Sequence, residues 1–466
     1  MVASSEIMQN ISHSRSSYLF SKNLRIDHYS KAQILEKLSP LLGLVYLEND
    51  SNPVIAFLPH QYLLMSKSEL TCFKRDEVHY YHKNSTINSI QHFVQFRQAE
   101  TIQSSNLFQG GYIGFVDYNH AAEQSVKSEV KSQPQFYLGQ YDSFIRYENS
   151  SWIFVSHEIN AESIFELIVD LLHSSTKTDH QAFQMLTPCE ARWSKTEYQN
   201  AFQKIQDYIL AGDCYQINLT QEFQAKAKGL LIETAEQFWA LTNAPYSGYL
   251  KLDDFEVLSC SPELFIDFNP NREIITKPIK GTMPRFADPV LDQISKQKLI
   301  NSKKDQAENV MIVDLLRNDL SVYAKTGSVK TTKLFDIESF NQVHHMVSEV
   351  RATLKDEAHP FEVLMSALPG GSITGAPKIR AMQIIEELEG SPRGAYCGSM
   401  GYFNYDGTGS WNILIRTIQK QADNVSIWAG GGITISSECE AEYQECFDKV
   451  SALLDLINTY YASNSQ

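Results

Sequence analysis

Short runs of alternating apolar and polar residues restrict the fold of this chain more than any other feature. Pro53 to Leu58, Glu77 to His82, Phe136 to Tyr147 and Trp152 to His157 follow a period of two, which puts successive side chains on opposite faces of a strand. From Leu19 to Leu172 they imply an antiparallel sheet with a few helices. Within it, Phe108 to Tyr118 is a glycine-spaced aromatic strand. The spacing of Gly110, Gly111 and Gly114 is too sparse for a dinucleotide fingerprint and reads as close strand packing. Ser174 to His180 is the best linker candidate, and the Ser-rich, polar stretch up to Ser17 reads as a mobile arm without an apolar signal core. The expected division is therefore an arm at 1–17, a first region at 18–173, a linker at 174–193, a second region at 194–458 and a tail at 459–466.

With 466 residues, the size prior suggests roughly two to four domains, or one large interleaved fold. A formal charge of -15 argues against a general nucleic-acid or anionic-membrane surface, so an anionic substrate must find a locally basic pocket. The seven cysteines are scattered, odd in number and without a C-x-x-C pair, which fits reduced thiols in the cytoplasm better than a disulfide framework or a thiolate metal site. No stretch approaches the roughly 20 apolar residues of a spanning helix.

In the second region, Ser194 and Glu197 form a capping box, with Tyr198, Phe202, Ile205 and Ile209 at helical spacing and Gly212 as terminator. The following strand, Tyr215 to Thr220, puts Gln216, Asn218 and Thr220 on one face. Gln216 is either part of an ordinary half-exposed strand or a pocket amide that could hydrogen-bond a substrate but could not act as a base. Glu263 lies in an otherwise apolar strand, where desolvation would hold it protonated as a general acid; a surface edge strand fits equally well. Glu273 to Thr276 is a strand that runs into Pro278, and Lys280 follows where it opens into a turn, beside Gly281. A lone lysine there is most simply solvated; in an enclosed site, desolvation would populate its neutral, nucleophilic form.

A helix beginning near Ser302 places Glu308, Ile312 and Leu315 along one face, and an inward carboxylate wants a cation. The last helix carries Glu442, Glu445 and Lys449 beside a stripe of Tyr443, Phe447, Val450 and Leu454; on spacing alone this is a solvated, salt-bridged face. Between them, Leu368 to Lys378 has Walker-like glycine spacing, but Ala376-Pro377 replaces the Lys-Ser/Thr of a nucleotide loop. Pro377 suits a helix start whose free N–H groups would attract an anion, with Lys378 adding charge. Gly430, Gly431 and Gly432 form a turn, either a tight corner or a set of free amides beside Arg416, which could clamp a carboxylate bidentately.

Pro278-Ile279-Lys280-Gly281-Thr282, Ala307 to Asp314, Pro369 to Lys378 and Glu442 to Glu445, in this order and spacing, resemble the chorismate-utilising enzymes over about Ser194 to Leu454. From Leu19 to Leu172 the likeness is weaker and rests on the Gly110 to Gly114 segment. The resemblance implies an α+β fold like that of anthranilate synthase component I, with two antiparallel sheets packed as a β-sandwich, helices outside, and the site in the cleft between them. It implies a Mg2+ ion held by Glu308 and Glu445 and bridging to a carboxylate of chorismate. Lys449, Arg416 and the amides near Gly430, Gly431 and Gly432 would receive carboxylates, with Thr282, Thr374, Gly375 and Lys378 lining the pocket and His345, rather than His344, beside the ring.

Position 280 separates the branches: it is alanine in members resembling anthranilate synthase, whereas lysine looks like the branch that forms aminodeoxychorismate. There the amine attacks ring C2, Glu263 protonates the departing C4 hydroxyl, and ammonia enters at C4 as the lysine leaves. Isochorismate-forming members carry a lysine base at the position of Gln216. No glutaminase elbow surrounds any cysteine of this chain, so ammonia would come from a separate glutamine amidotransferase subunit. A non-catalytic, chorismate- or tryptophan-binding regulatory subunit would be favoured by loss of Lys280 or of an acidic metal ligand, and none is lost.

Overall fold

The computed structural model describes residues 19–77, 80–84, 86, 89–96, 107–128, 131–174, 181–340 and 343–461. The expected arm, and all of the Ser174 to His180 stretch except Ser174, lie outside these residues. Among the described residues, two antiparallel sheets of thirteen and twelve strands carry the fold. They face each other: Leu250 and Val257 of the first sheet share an apolar cluster with Met400 and Tyr402 of the second. Helices Lys31–Leu38, Ala161–His173 and Ala235–Thr242 cover the outer face of the first sheet with Leu35, Ile164 and Phe238. The expected sandwich with outer helices is thus the observed one. Each fully buried Leu, Ile or Phe in these layers contributes about 1.5–3 kcal/mol relative to exposure.

The two expected regions occupy opposite ends of both sheets. In the first sheet, Leu44–Leu47 pairs with Tyr246–Leu252; in the second, Gly111–Val116 pairs with Ser399–Asn404. A Cβ added at Gly111 would lie 2.1 Å from the Phe403 carbonyl oxygen, so the glycine-spaced strand does mark close packing. Boundaries at 173 and 194 therefore divide the sequence without dividing the sheets. Within the stretch expected as linker, Gln184–Met185 and Glu190–Ala191 both pair with Gln216–Lys228 and extend the first sheet. At the other end, Tyr461 of the expected tail bridges to Met185.

The expected long last helix is two, Cys439–Asp448 and Ser451–Asn458, broken at Val450 (φ −126°, ψ 1°). The break lets two apolar stripes reach different cores. Cys446 packs in the cluster that holds Tyr198 and Ile205, whereas Val450, Leu453 and Ile457 pack beneath the first sheet. The helix Lys195–Ala211 has the expected capping box, and Gly212 ends it in the left-handed region at φ 84°.

Candidate active site

Two of the places where the second region passes from one sheet to the other lie side by side. Strand Phe255–Ser261 belongs to the first sheet and Leu264–Phe268 to the second, with Pro262 and Glu263 between them. Strand Gly409–Asn412 belongs to the second and Thr417–Gln421 to the first, with Arg416 at the return. Two backbone bonds tie these crossovers together, Cys260 N–H to Arg416 O at 3.1 Å and Ile413 N–H to Glu263 O at 3.1 Å. Glu263 is thus at a junction of sheets rather than within a strand, and it is buried. Burial raises its carboxyl to about 7, against the opposing pull of the Ser372 hydroxyl, Lys280 and the Ile279 N–H. The Ser372 hydroxyl donates to Glu263 Oε1 at 3.1 Å.

Lys280 is in a strand, not in a turn. Glu273–Thr276 and Ile279–Pro284 both pair with Val343–Thr353, and the register Thr276 to Val350 and Ile279 to Val347 runs unbroken across Pro278. Pro278 contributes no donor, yet its carbonyl still accepts from Ser348 N–H at 3.2 Å. The irregularity comes one step later. Between Ile279, opposite Val347, and Thr282, opposite His345, the strand carries an extra residue, a β-bulge of the kind that re-aims a side chain. Gly281 takes φ +90° there, and an added Cβ would lie 2.9 Å from the side chains of Asp305 and Leu299. The bulge leaves Lys280 Nζ 3.4 Å from Glu308 Oε2, with only 14% and 11% of the two side chains exposed.

The three glycines also belong to a strand. Gly430, Gly431 and Gly432 lie within Asn424–Thr434, opposite Thr220, Leu219 and Asn218. The paired strand crowds Gly430, and four side chains crowd Gly431 and Gly432. A Cβ on Gly432 would lie 2.2 Å from Gln216 Nε2 and 3.1 Å from Lys280 Nζ, and one on Gly431 would lie 2.9 Å from Glu442 Oε2 and 3.2 Å from Glu445 Oε1. Asn218 N–H goes to Thr374 O and Thr220 N–H to Glu389, so those two residues form non-hydrogen-bonded pairs with the glycine strand. Gly430 and Gly432 accordingly turn their peptide groups away from Gln216–Lys228, and the next strand, Thr417–Gln421, pairs only as far as Ile418 with Ile427. Lys449 Nζ meets the Gly430 carbonyl on that open edge at 2.7 Å. These glycines thus lie on a strand edge and not in a turn.

Three carboxylates flank these glycines and Lys280, though among the described residues no three His, Cys, Asp or Glu side chains form a metal-holding group. Glu308 faces Lys280, Glu445 pairs with Lys449 at 2.6 Å, and Glu442 pairs with Lys304 at 3.1 Å. Burial opposes the charge of Lys304, but Glu442, then Glu308 and Glu445, raise it above its ordinary value. Glu445 is held below the usual carboxylate range: burial works against this, but Lys449, Lys280 and Lys304 outweigh it. Glu442 is the residue that pattern alone missed. Its face was expected to be solvated, yet it is 1% exposed, and the signal for it was its i, i+3 spacing from Glu445 on a helix that covers glycines. Glu308 Oε1 and Glu442 Oε2 are buried with no hydrogen-bond partner. Such orphaned carboxylate oxygens suit a hard cation.

His345 Nδ1 lies 2.8 Å from Thr282 Oγ1, while its buried Nε2 has no partner. Burial and then the charge of Arg416 push His345 down to about 3, so the ring is neutral and offers one free nitrogen. His344 points elsewhere, to Ser339 and Asp292, as adjacent strand residues must. Burial lowers Arg416 from its ordinary value, and among the described residues no carboxylate pairs with it. Buried Gln216 leaves its Oε1 unpartnered, and Gly375, next to buried Thr374, passes so close that a Cβ would lie 2.1 Å from the Gln216 carbonyl. Lys378 departs from expectation. Its Nζ is held by Asp319 at 2.6 Å and by the Ala367 carbonyl at 3.2 Å, so helix packing, not an anion, claims its charge.

Among known proteins, a family model described as chorismate binding enzyme matches residues 51–455. Aminodeoxychorismate synthase component 1 of Salmonella typhimurium is 41% identical over 357 residues, covering 74% of this chain and 76% of its own length. The protein of that name from Bacillus subtilis is 30% identical over 406 residues, 83% and 85% of the two chains. The crystal structure of anthranilate synthase component I from Streptococcus pneumoniae superposes with a TM-score of 0.72 at 24% identity, over 86% and 91% of the two chains. A menaquinone-specific isochorismate synthase from Escherichia coli does so at 0.71 and 17%, over 94% of each. These two share the fold.

Proposed function

This chain belongs to the chorismate binding enzymes, and on that footing we propose that it aminates chorismate at C4, forming 4-amino-4-deoxychorismate through a covalent adduct on Lys280. The name shared by the curated relatives supports this branch, which leads toward p-aminobenzoate and folate. The observation that carries the reading is the bulge that turns a mostly buried amine toward Gln216, Gly432 and Glu308, with a raised carboxyl on the neighbouring crossover.

Lys280 Nζ attacks ring C2 with its electron pair, both ring double bonds shift, and the C4 hydroxyl departs as water on accepting the proton of Glu263. Ammonia then adds at C4, both double bonds shift back, and the C2–N bond breaks to return the amine. Glu263 takes up the surplus proton of the entering nitrogen. Arg416, the edge amides of Gly430 and Gly432 and the third N–H of Lys449 receive the substrate carboxylates, and His345 Nε2 meets the ring substituents. Gln216 can orient the ring but cannot deprotonate water, which disfavours isochorismate. Glu308 and Glu445, with Glu442 beside them, would hold a Mg2+ ion, which supplies charge neutralisation to a bound carboxylate. Ammonia is mostly ammonium at neutral pH, so a separate glutamine amidotransferase subunit is its natural source; the designation component 1 among relatives supports one. The seven cysteines are all free, which suits a cytoplasmic enzyme, and no helix among the described residues is long and apolar enough to cross a membrane.

The test is incubation of the purified chain with chorismate, Mg2+ and an ammonium salt, with identification of the product. Aminodeoxychorismate is expected; anthranilate or isochorismate would refute the assignment. Without ammonia, intact-mass analysis should find the chain heavier by chorismate less one water, and Lys280→Ala should show neither adduct nor product.

A further inference from the structure

Arg393 is 1% exposed and spends its donors behind the cleft instead of in it. Nε and Nη2 donate to the two oxygens of Glu389 at 2.8 and 2.7 Å, Nη2 also to the Asn218 carbonyl at 2.7 Å, and Nη1 to the Ile373 carbonyl at 2.9 Å. The guanidinium centre lies 4.6 Å from the ring centre of Tyr118. Glu389 Oε1 in turn accepts the Thr220 N–H at 3.0 Å and the Thr220 hydroxyl at 2.7 Å. A buried ion pair is a weak source of stability, because desolvating two charges offsets most of their attraction. A planar fork with fixed donor directions does, however, hold several acceptors in one geometry.

What it holds is the wall of the site. Ile373 is the neighbour of Ser372, whose hydroxyl donates to Glu263. The Ile373 carbonyl is gripped twice, by Arg393 Nη1 and by Asn218 Nδ2 at 3.2 Å, and the following Thr374 carbonyl accepts from Asn218 N–H at 2.8 Å. We propose that Arg393 is a positioning residue for the reaction. By clamping the Ile373 carbonyl to strand Gln216–Lys228, it sets the place of Ser372 and, through that hydroxyl, the carboxyl of Glu263, without touching substrate. The inference rests on Glu263 being the acid. If that assignment is wrong, Glu263→Gln keeps its activity, whereas failure of the present inference appears only in the comparison below.

The test is a double-mutant cycle on the full chain with chorismate, Mg2+ and ammonium, using Arg393→Lys, Ser372→Ala and both together. A lysine cannot span Glu389, Asn218 and Ile373 at once, and misplacement by about 1 Å from outside the chemistry costs up to about 100-fold. Arg393→Lys should therefore lower kcat by about 10- to 100-fold with little change in KM. Added to Ser372→Ala, it should lower kcat by no more than about twofold further, because neighbours in one hydrogen-bonded path are not additive. Losses that multiply in the double variant, or a loss confined to KM, would overturn the proposal. Asn218→Ala removes the second grip on the same carbonyl while leaving the ion pair intact. Should Arg393→Lys fail to fold, it takes that place in the cycle, with the same result required.

Discussion

Replacing Gly432 by alanine should slow catalysis while leaving the backbone unstrained. Gly432 lies in the extended strand Asn424–Thr434 and is not among the positive-φ glycines, so alanine meets no conformational penalty there. The obstacle is space. The new methyl would lie 2.2 Å from Gln216 Nε2, 3.0 Å from its Cδ and 3.1 Å from Lys280 Nζ, where ordinary contact begins at 3.4 Å. Gln216 must retreat by about 1 Å, and because it is almost wholly buried its neighbours must move as well, an overpacking cost of about 1–3 kcal/mol. Lys280 gives way by a few tenths of an ångström, which a long side chain can absorb only by changing its line of attack. Misplacing a reacting group by about 1 Å costs on the order of 100-fold in rate, so a shift of a few tenths should cost up to about 10-fold. Steady-state turnover of chorismate with saturating ammonium and Mg2+ measures kcat, intact mass without ammonia measures adduct formation, and thermal denaturation reports the packing cost separately. Should the variant turn over and form adduct like the wild type while unfolding at a lower temperature, Lys280 does not meet the substrate where the glycine leaves room.

Glu263 should set the alkaline limb of the rate profile. Its carboxyl titrates at about 7, and the departing hydroxyl needs the protonated form, so kcat should fall as pH rises above about 7, and Glu263→Gln should be slow without that limb. Because the folded value lies above the ordinary 4.5, burial of this acid favours the folded state below about 4.5, and that contribution is lost as pH rises to about 7. In stability against pH, measured by denaturant titration, Glu263→Gln should lack this decline, which is on the order of 3 kcal/mol. Glu308→Gln and Glu445→Gln should each raise the Mg2+ concentration needed for half-maximal activity and weaken Mg2+ binding in calorimetry; unchanged binding in both would remove them as ligands. Gly212→Ala, at φ 84° with open space around its Cβ, should cost about 1 kcal/mol of stability and leave turnover unchanged, as a strained helix end far from the chemistry would.

Local pattern carried most of the elements, whereas the candidate site residues came from the family resemblance. Capping chemistry located the start of Lys195–Ala211 and its glycine end, and alternation put Gln216, Asn218 and Thr220 on one buried face. It failed where a residue's environment comes from distant chain. The glycines at 430–432 look like a turn because nothing nearby says that Gln216, Lys280 and two glutamates will press on them. Pro278 looks like a strand end because its partner, seventy residues away, keeps the register across it. Lys378 looks like a free cation because Asp319, which claims it, belongs to another helix. Glu442 looks solvated because spacing alone does not say that its helix folds back over the glycine strand just before it, or that Lys304 of another helix pairs with it.

Residue chemistry and spacing by themselves determined that this chain builds antiparallel sheets, and the resemblance of its motifs to the chorismate-utilising enzymes implied a small dianionic substrate and a lysine where the branches of that family part. Those properties depend on side-chain identity and on backbone preferences a few residues wide. Only the tertiary structure decided that the two expected regions share both sheets, that Glu263 and Arg416 sit where the chain changes sheets, and that a single inserted residue aims Lys280. Each of these is a pairing between segments far apart in sequence, and such pairings are settled by which faces can be buried together.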